Sequence, residues 1–354
     1  MRSLRLFAGL FACASLLALA PSSAGAATLR RMIGQKLVVS MNGTTPSASL
    51  LERVKRGRVG GVIIHGFNFS SPAGLRSITT KLRNAAANGG QPGLLIAVDQ
   101  EGGSVKTVSW IPPTLSPPEM GRIGSNETAR GQGRKTGSAL LDLGVNTDFA
   151  PVADVPASTS SFMYLQGRTW SFGPRKTSRL SNSFAIGLAD RGALATMKHF
   201  PGLGYATRNT DDEVVRIGAT RSELDPGLEP YRRAIADGAP LIMLSNAVYD
   251  AYDRRFAAGW SRPVGIGLLR RQLGFRGVTI TDSLDGAAHA RGIPTDPLAV
   301  RAARAGTDLL LVTGSEAASR SVYHSLMAAA TAGDIPRARL DVSYDRIRAL
   351  KAGL

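Results

Sequence analysis

Cysteine is almost missing from this chain. Of 354 residues only Cys13 carries a thiol, so no disulfide framework can be built. Aromatic residues are sparse at 6 %, and the 26 acidic residues fall well short of the 43 basic ones. The only histidines are His65, His199, His289 and His324, and none stands at metal-ligand spacing from another. Glycine is abundant, yet it nowhere builds a phosphate-binding loop running into Lys and then Ser or Thr. Neither Ser104 nor Ser283 sits in a nucleophile elbow. No apolar run reaches the roughly 20 residues that a membrane-spanning helix needs.

The run that comes nearest lies at the beginning. Arg2 and Arg5 precede a nearly all-apolar stretch over 6–20, and Ala24-Gly25-Ala26 places small residues where a signal peptidase cuts. Residues 1–26 are therefore expected to be an export signal cleaved near Ala26, giving a secreted or cell-envelope protein. Cys13 follows Leu10-Phe11-Ala12, which raises lipid attachment as an alternative. Apolar sequence continues well beyond Cys13, where a lipoprotein would turn polar, and this disfavours it. Cleavage at Ala26 would leave a chain without any thiol, with residues 27–354 forming one domain without a transmembrane segment.

The formal charge is +17, and removing Arg2 and Arg5 lowers it to +15. For an exported protein such a balance suits anionic wall polymers or lipid headgroups, or simply a solvated Arg-rich surface. The basic residues are scattered and lack the aromatic interleaving of a single-strand groove, so nucleic acid is not an expected partner.

Short apolar runs bounded by Gly, Asp, Asn or Pro recur at 61–65, 94–99, 147–155, 195–199, 241–246, 278–282 and 308–313. Helical periodicity falls between and after them, at 77–88, 127–143, 177–189, 228–237, 263–273, 297–305 and 316–332. Continuous apolar strands alternating with helices mean a parallel sheet covered by helices. Asp99, Asp154, His199, Asn246 and Asp282 all stand at C-terminal strand ends spread along the chain. A closed barrel gathers every such end at one mouth, whereas an open sheet gathers only those near its switch point. The expected class is α/β, a (β/α)8 TIM-type barrel.

Four ordered motifs give this pattern a family. Leu-Ile-Ala-Val-Asp-Gln-Glu-Gly-Gly at 95–103, Asp-Phe-Ala-Pro-Val-Ala-Asp-Val at 148–155, Lys-His-Phe-Pro-Gly at 198–202 and Leu-Gly-Phe-Arg-Gly-Val-Thr-Ile-Thr-Asp-Ser-Leu at 273–284 resemble glycoside hydrolase family 3. The likeness is to its N-terminal barrel and to its single-domain bacterial β-N-acetylhexosaminidases. It runs from Gly34 to the helix over 343–351. The resemblance implies a retaining hydrolase of terminal β-linked sugars, such as wall fragments, with a carbohydrate substrate and no metal or organic cofactor. Asp282 matches the nucleophile. Lys198 and His199 match a pair that binds sugar hydroxyls, Asp99 a carboxylate that grips hydroxyls across the sugar, and Arg168 a pocket arginine. Asp154 is assigned a structural task, holding a neighbouring loop.

One loop departs from the pattern. The hexosaminidases follow Lys-His-Phe-Pro-Gly with His-Gly and then Asp-Ser-His, whose histidine is the acid/base. Here Leu203 replaces the first histidine, and Asn209-Thr210-Asp211 stands where the triplet should be. Position 107, an arginine in many relatives, is Thr107 beside Lys106. Two readings stay open. Asp211 supplies the proton with a pKa raised by burial near Asp282, or the barrel binds glycan with weak or no turnover. A third reading, a phosphorylase, draws on the basic charge.

Overall fold

The computed structural model describes residues 27–354, so the expected export signal and Cys13 lie outside the described part. Eight parallel strands form the central sheet: β1 (Leu37–Ser40), β2 (Gly61–Ile63), β3 (Leu95–Val98), β4 (Thr147–Asp148), β5 (Leu194–Phe200), β6 (Leu241–Leu244), β7 (Val278–Thr281) and β8 (Leu310–Val312). Their spatial order follows the chain from β1 to β7, and β8 pairs with β1. The seam between β7 and β8 is closed by a parallel bridge at Ile280 and Leu309, with Leu309 N donating to Thr279 O at 2.8 Å. The expected barrel is what the chain forms.

Period-2 alternation explains why these runs are apolar throughout. Val38, Leu95, Ala97, Leu241, Met243, Val278, Ile280 and Leu311 point into the barrel and pack on one another. Their neighbours Leu37, Val39, Ile96, Val98, Leu310 and Val312 point outward under the helices. Both faces are dry, and each buried side chain contributes on the order of 1.5–3 kcal/mol. Ile347 of the helix Arg337–Lys351 closes the lower end of this inner core.

Several elements differ from expectation. Strand β1 and the helix Ala48–Lys55 after it are additional to the periodic segments read from sequence. The run at 147–155 is a strand only over Thr147–Asp148. Pro151 has no N–H to give a ladder, and only an isolated bridge from Val152 to Lys198 continues the pairing. The helix after β6, Pro263–Gln272, has π winding, with Leu273 N donating to Leu268 O. No helix among the described residues is long and apolar enough to cross a membrane.

Loops leaving the C-terminal strand ends carry the extra structure, including the stretch between β5 and the helix Glu229–Ala236. All strand carboxyl ends face one mouth, which is where side chains from distant segments meet.

Candidate active site

A cavity of about 350 Å³ opens at that mouth, and Asp99, Arg168, Lys198, His199, Asp211 and Asp282 all line it. The six residues read from sequence are thus brought together. Glu101 and His65 also line the cavity.

One wall is built of ion pairs. Glu101, 2 % exposed, lies just past β3, and its carboxylate accepts from Arg168 Nη2 at 2.7 Å and Nε at 2.8 Å. The same carboxylate stands 2.7 Å from Lys198 Nζ, which also donates to Asp99 Oδ1 at 2.6 Å. Burial alone would push the Glu101 carboxyl up, but Lys198 and then Arg168 outweigh it and hold it at about 2. Burial works against the Lys198 charge too, and Asp99 followed by Glu101 carries it above its usual value. Glu101 and Lys198 each hold two partners in this wall, which fixes their side chains.

Within the motif at 95–103 the sequence gives Glu101 no task of its own. A Glu three residues past the end of β3 gives no local sign of burial. Its partners, Arg168 and Lys198, are 67 and 97 positions away. Gln100 braces this turn from beneath, its side chain bonding Val108 N and O and Pro112 O.

The opposite wall is organised by Asp154. Its carboxylate accepts from Leu203 N at 2.7 Å and His199 N at 3.2 Å, and it lies 2.8 Å from His199 Nδ1. The expected loop-holding task is therefore met, and Asp154 also orients the His199 ring. The other ring nitrogen, Nε2, points at Asp282 Oδ2 from 3.9 Å, beyond hydrogen-bond reach. Asp282 follows β7 directly, and its Oδ1 accepts from Ser283 N at 2.7 Å.

Asp211 reaches this wall from the β5 loop. Its carboxyl is packed against Gly286, in the first turn of the helix Leu284–His289 that follows Asp282. A side chain at Gly286 would collide with that carboxyl, so glycine there makes the room. Asp211 Oδ1 is buried without a hydrogen-bond partner. Burial, and next the charge of Asp282, raise Asp211 to about 7, although His199 pulls the other way. Asn246, a strand-end polar residue in the sequence, donates from Nδ2 to Ser283 O at 2.8 Å.

Such a cavity has a wall of matched charges suited to hydroxyl groups and, facing it, two carboxyl groups, of which Asp211 has its pKa raised. Residues 28–350 match the family described as Glycosyl hydrolase family 3 N terminal domain. The chain belongs to glycosyl hydrolase family 3. It is a glycoside hydrolase by that membership, as the four motifs implied. Among curated proteins, an uncharacterized secreted glycosyl hydrolase of Arthroderma benhamiae is 35 % identical over 91 % of this chain and 92 % of its own length. A beta-hexosaminidase of Alkalilimnicola ehrlichii is 31 % identical, covering 82 % of this chain and 84 % of that protein. A family 3 beta-N-acetylglucosaminidase structure from a Paenibacillus species superposes with a TM-score of 0.88 at 31 % identity. It covers 93 % of this family 3 chain, which spans 63 % of that larger protein.

Proposed function

We propose that this family 3 hydrolase removes a terminal β-linked N-acetylhexosamine with retention of configuration. Asp282 is the nucleophile and Asp211 the acid/base. In the first step an Asp282 oxygen attacks the anomeric carbon as the bond to the leaving oxygen breaks, and the Asp211 proton passes to that oxygen. In the second, water attacks the same carbon, returns a proton to Asp211 and releases Asp282 as a carboxylate. Asp99, Arg168, Lys198 and His199 hold the sugar hydroxyls, with Glu101 fixing the two cations.

The observation that carries this reading is the pairing of Asp211, raised to about 7, with Asp282 in one cavity. A carboxyl whose pKa is raised toward neutral pH, set beside a second carboxyl in one cavity, is the arrangement acid-assisted glycoside cleavage needs. The hexosaminidase and acetylglucosaminidase relatives support the sugar class. Export, with attachment to anionic wall polymer through the basic surface, is the cellular setting consistent with the N-terminal sequence and the secreted relative.

Aryl β-N-acetylglucosaminides assayed with the wild type and with Asp282→Ala test the mechanism. Turnover that survives the substitution undiminished rules it out. Saturable sugar binding by a wild type that turns over no glycoside would identify a glycan-binding barrel instead. A rate that required inorganic phosphate would identify a phosphorylase.

A further inference from the structure

The chain is poor in aromatics, and most rings among its described residues are buried or half-buried. Five Phe, Trp or Tyr rings among the described residues are exposed: Phe67, Trp110, Tyr164, Phe172 and Tyr205. Every one lies in a loop leaving the C-terminal end of β2, β3, β4 or β5, four strands that are consecutive around the barrel. The loops after β6, β7, β8 and β1 contain no exposed ring among the described residues. Scattered exposed apolar groups need no explanation, but a one-sided cluster at the rim of a binding cavity marks a contact surface.

Part of this cluster adjoins the pocket, and part lines a groove beside it. Phe67, 68 % exposed, stacks on His65, a pocket-lining residue, with ring centroids 5.3 Å apart and planes 16° from parallel. Trp110 stands on the buried Phe69 at 5.5 Å, edge to face. Ser104 Oγ donates to Gln166 O at 3.0 Å and ties the β3 loop to the β4 loop. There Tyr164, next to pocket-lining Met163, packs on Phe172 at 4.9 Å. Phe172 and Tyr205 then line a separate groove of about 210 Å³ between the β4 and β5 loops.

We propose that this aromatic side of the mouth holds further sugar units of a glycan chain whose terminal residue occupies the pocket. The inference rests on the reading that the pocket takes a terminal sugar, and it extends that reading from a single residue to a chain. A pyranose presents an apolar C–H face and a polar edge. Stacking that face on a ring removes apolar surface of both partners from water, while the hydroxyls and the Tyr O–H stay wet. Rings mounted on other rings, as Trp110 is on Phe69 and Phe67 on His65, lose little freedom when a ligand arrives. Five rings over four adjacent loops offer a track and not one spot, which suits an oligomer over a small aryl glycoside.

Calorimetric titration with β-linked N-acetylglucosamine oligomers of two to six units, on the Asp282→Asn chain, tests the proposal. Affinity is expected to tighten about tenfold between two and five units, a gain comparable to one or two stacked rings. In Trp110→Ala, Tyr205→Ala and the double variant that slope should flatten, with wild-type circular dichroism retained. On the active chain, the same rim substitutions should lower kcat/KM for the pentamer but leave that for an aryl monosaccharide within about twofold. Affinity independent of length, no oligomer binding, or a length dependence untouched by the rim variants overturns the proposal. Turnover of no glycoside would defeat the hydrolytic reading alone, because the binding slope is measured without catalysis.

Discussion

The two walls of the pocket use the same charged groups to opposite ends. On one, Lys198 and Arg168 are matched by Asp99 and Glu101, so each charge has a partner and the ensemble is close to neutral. On the other, Asp211 and Asp282 share a cavity with His199 and without a Lys or Arg partner among the described residues. Paired charges in a low-dielectric site hold their ionisation and their geometry. Unpaired like charges cannot both be retained, and one takes a proton. In the proposed mechanism the first wall is a scaffold for hydroxyls, and the second stores the proton that bond cleavage consumes. Burial alone does not separate the two walls; the difference lies in whether a cation was placed within reach.

That contrast can be broken by three substitutions. Asp282→Ala removes the proposed nucleophile, and aryl β-N-acetylglucosaminide turnover should fall by about 10⁴-fold or more. Asp211→Asn keeps the shape but not the proton, and kcat should drop by roughly 10²–10⁴-fold for natural linkages. Nitrophenyl glycosides, whose leaving group needs less protonation, should lose less. Wild-type kcat/KM should decline as pH rises through about 7, where Asp211 gives up its proton, and this alkaline limb should vanish in Asp211→Asn.

On the opposite wall, Glu101→Gln leaves Lys198 with Asp99 only and strands Arg168. Breaking such a buried pair should cost about 3–5 kcal/mol in urea unfolding. The Glu101 carboxyl is depressed to about 2 in the folded chain, below its unfolded value, so its contribution is present above the unfolded pKa and lost as pH falls toward 2. Stability of the wild type should therefore decline more steeply than that of Glu101→Gln across this acid window. The smallest effect belongs to the other wall and has the opposite sign. Asp211 is raised in the folded chain, so the fold loses stability as pH climbs from its unfolded pKa to about 7. Asp211→Asn should accordingly raise Tm by about a few degrees at pH 8 and by little at pH 4. An equal shift at both values would mean that the carboxyl is not held protonated by its surroundings.

Much of the architecture was legible because barrel strands are apolar on both faces, and polar residues at their ends announce the mouth. Strand β1 escaped because Leu37–Ser40 abuts Lys36, which reads as a surface charge. In the structure Lys36 is buried and donates to Thr307 O, Asp308 O and Ser343 Oγ, contacts from the far end of the chain. Glu101 escaped for the same reason, since its partners come from other strands and loops.

The order of motifs along the chain determined the barrel, the family and which side chains meet at the mouth, because periodicity and strand-end chemistry are local properties. Only the tertiary structure decided what those side chains do to one another. Whether a carboxyl is held near 2, like Glu101, or raised to about 7, like Asp211, depends on the cations and the buried volume around it. Those surroundings are assembled from segments that no stretch of sequence contains together.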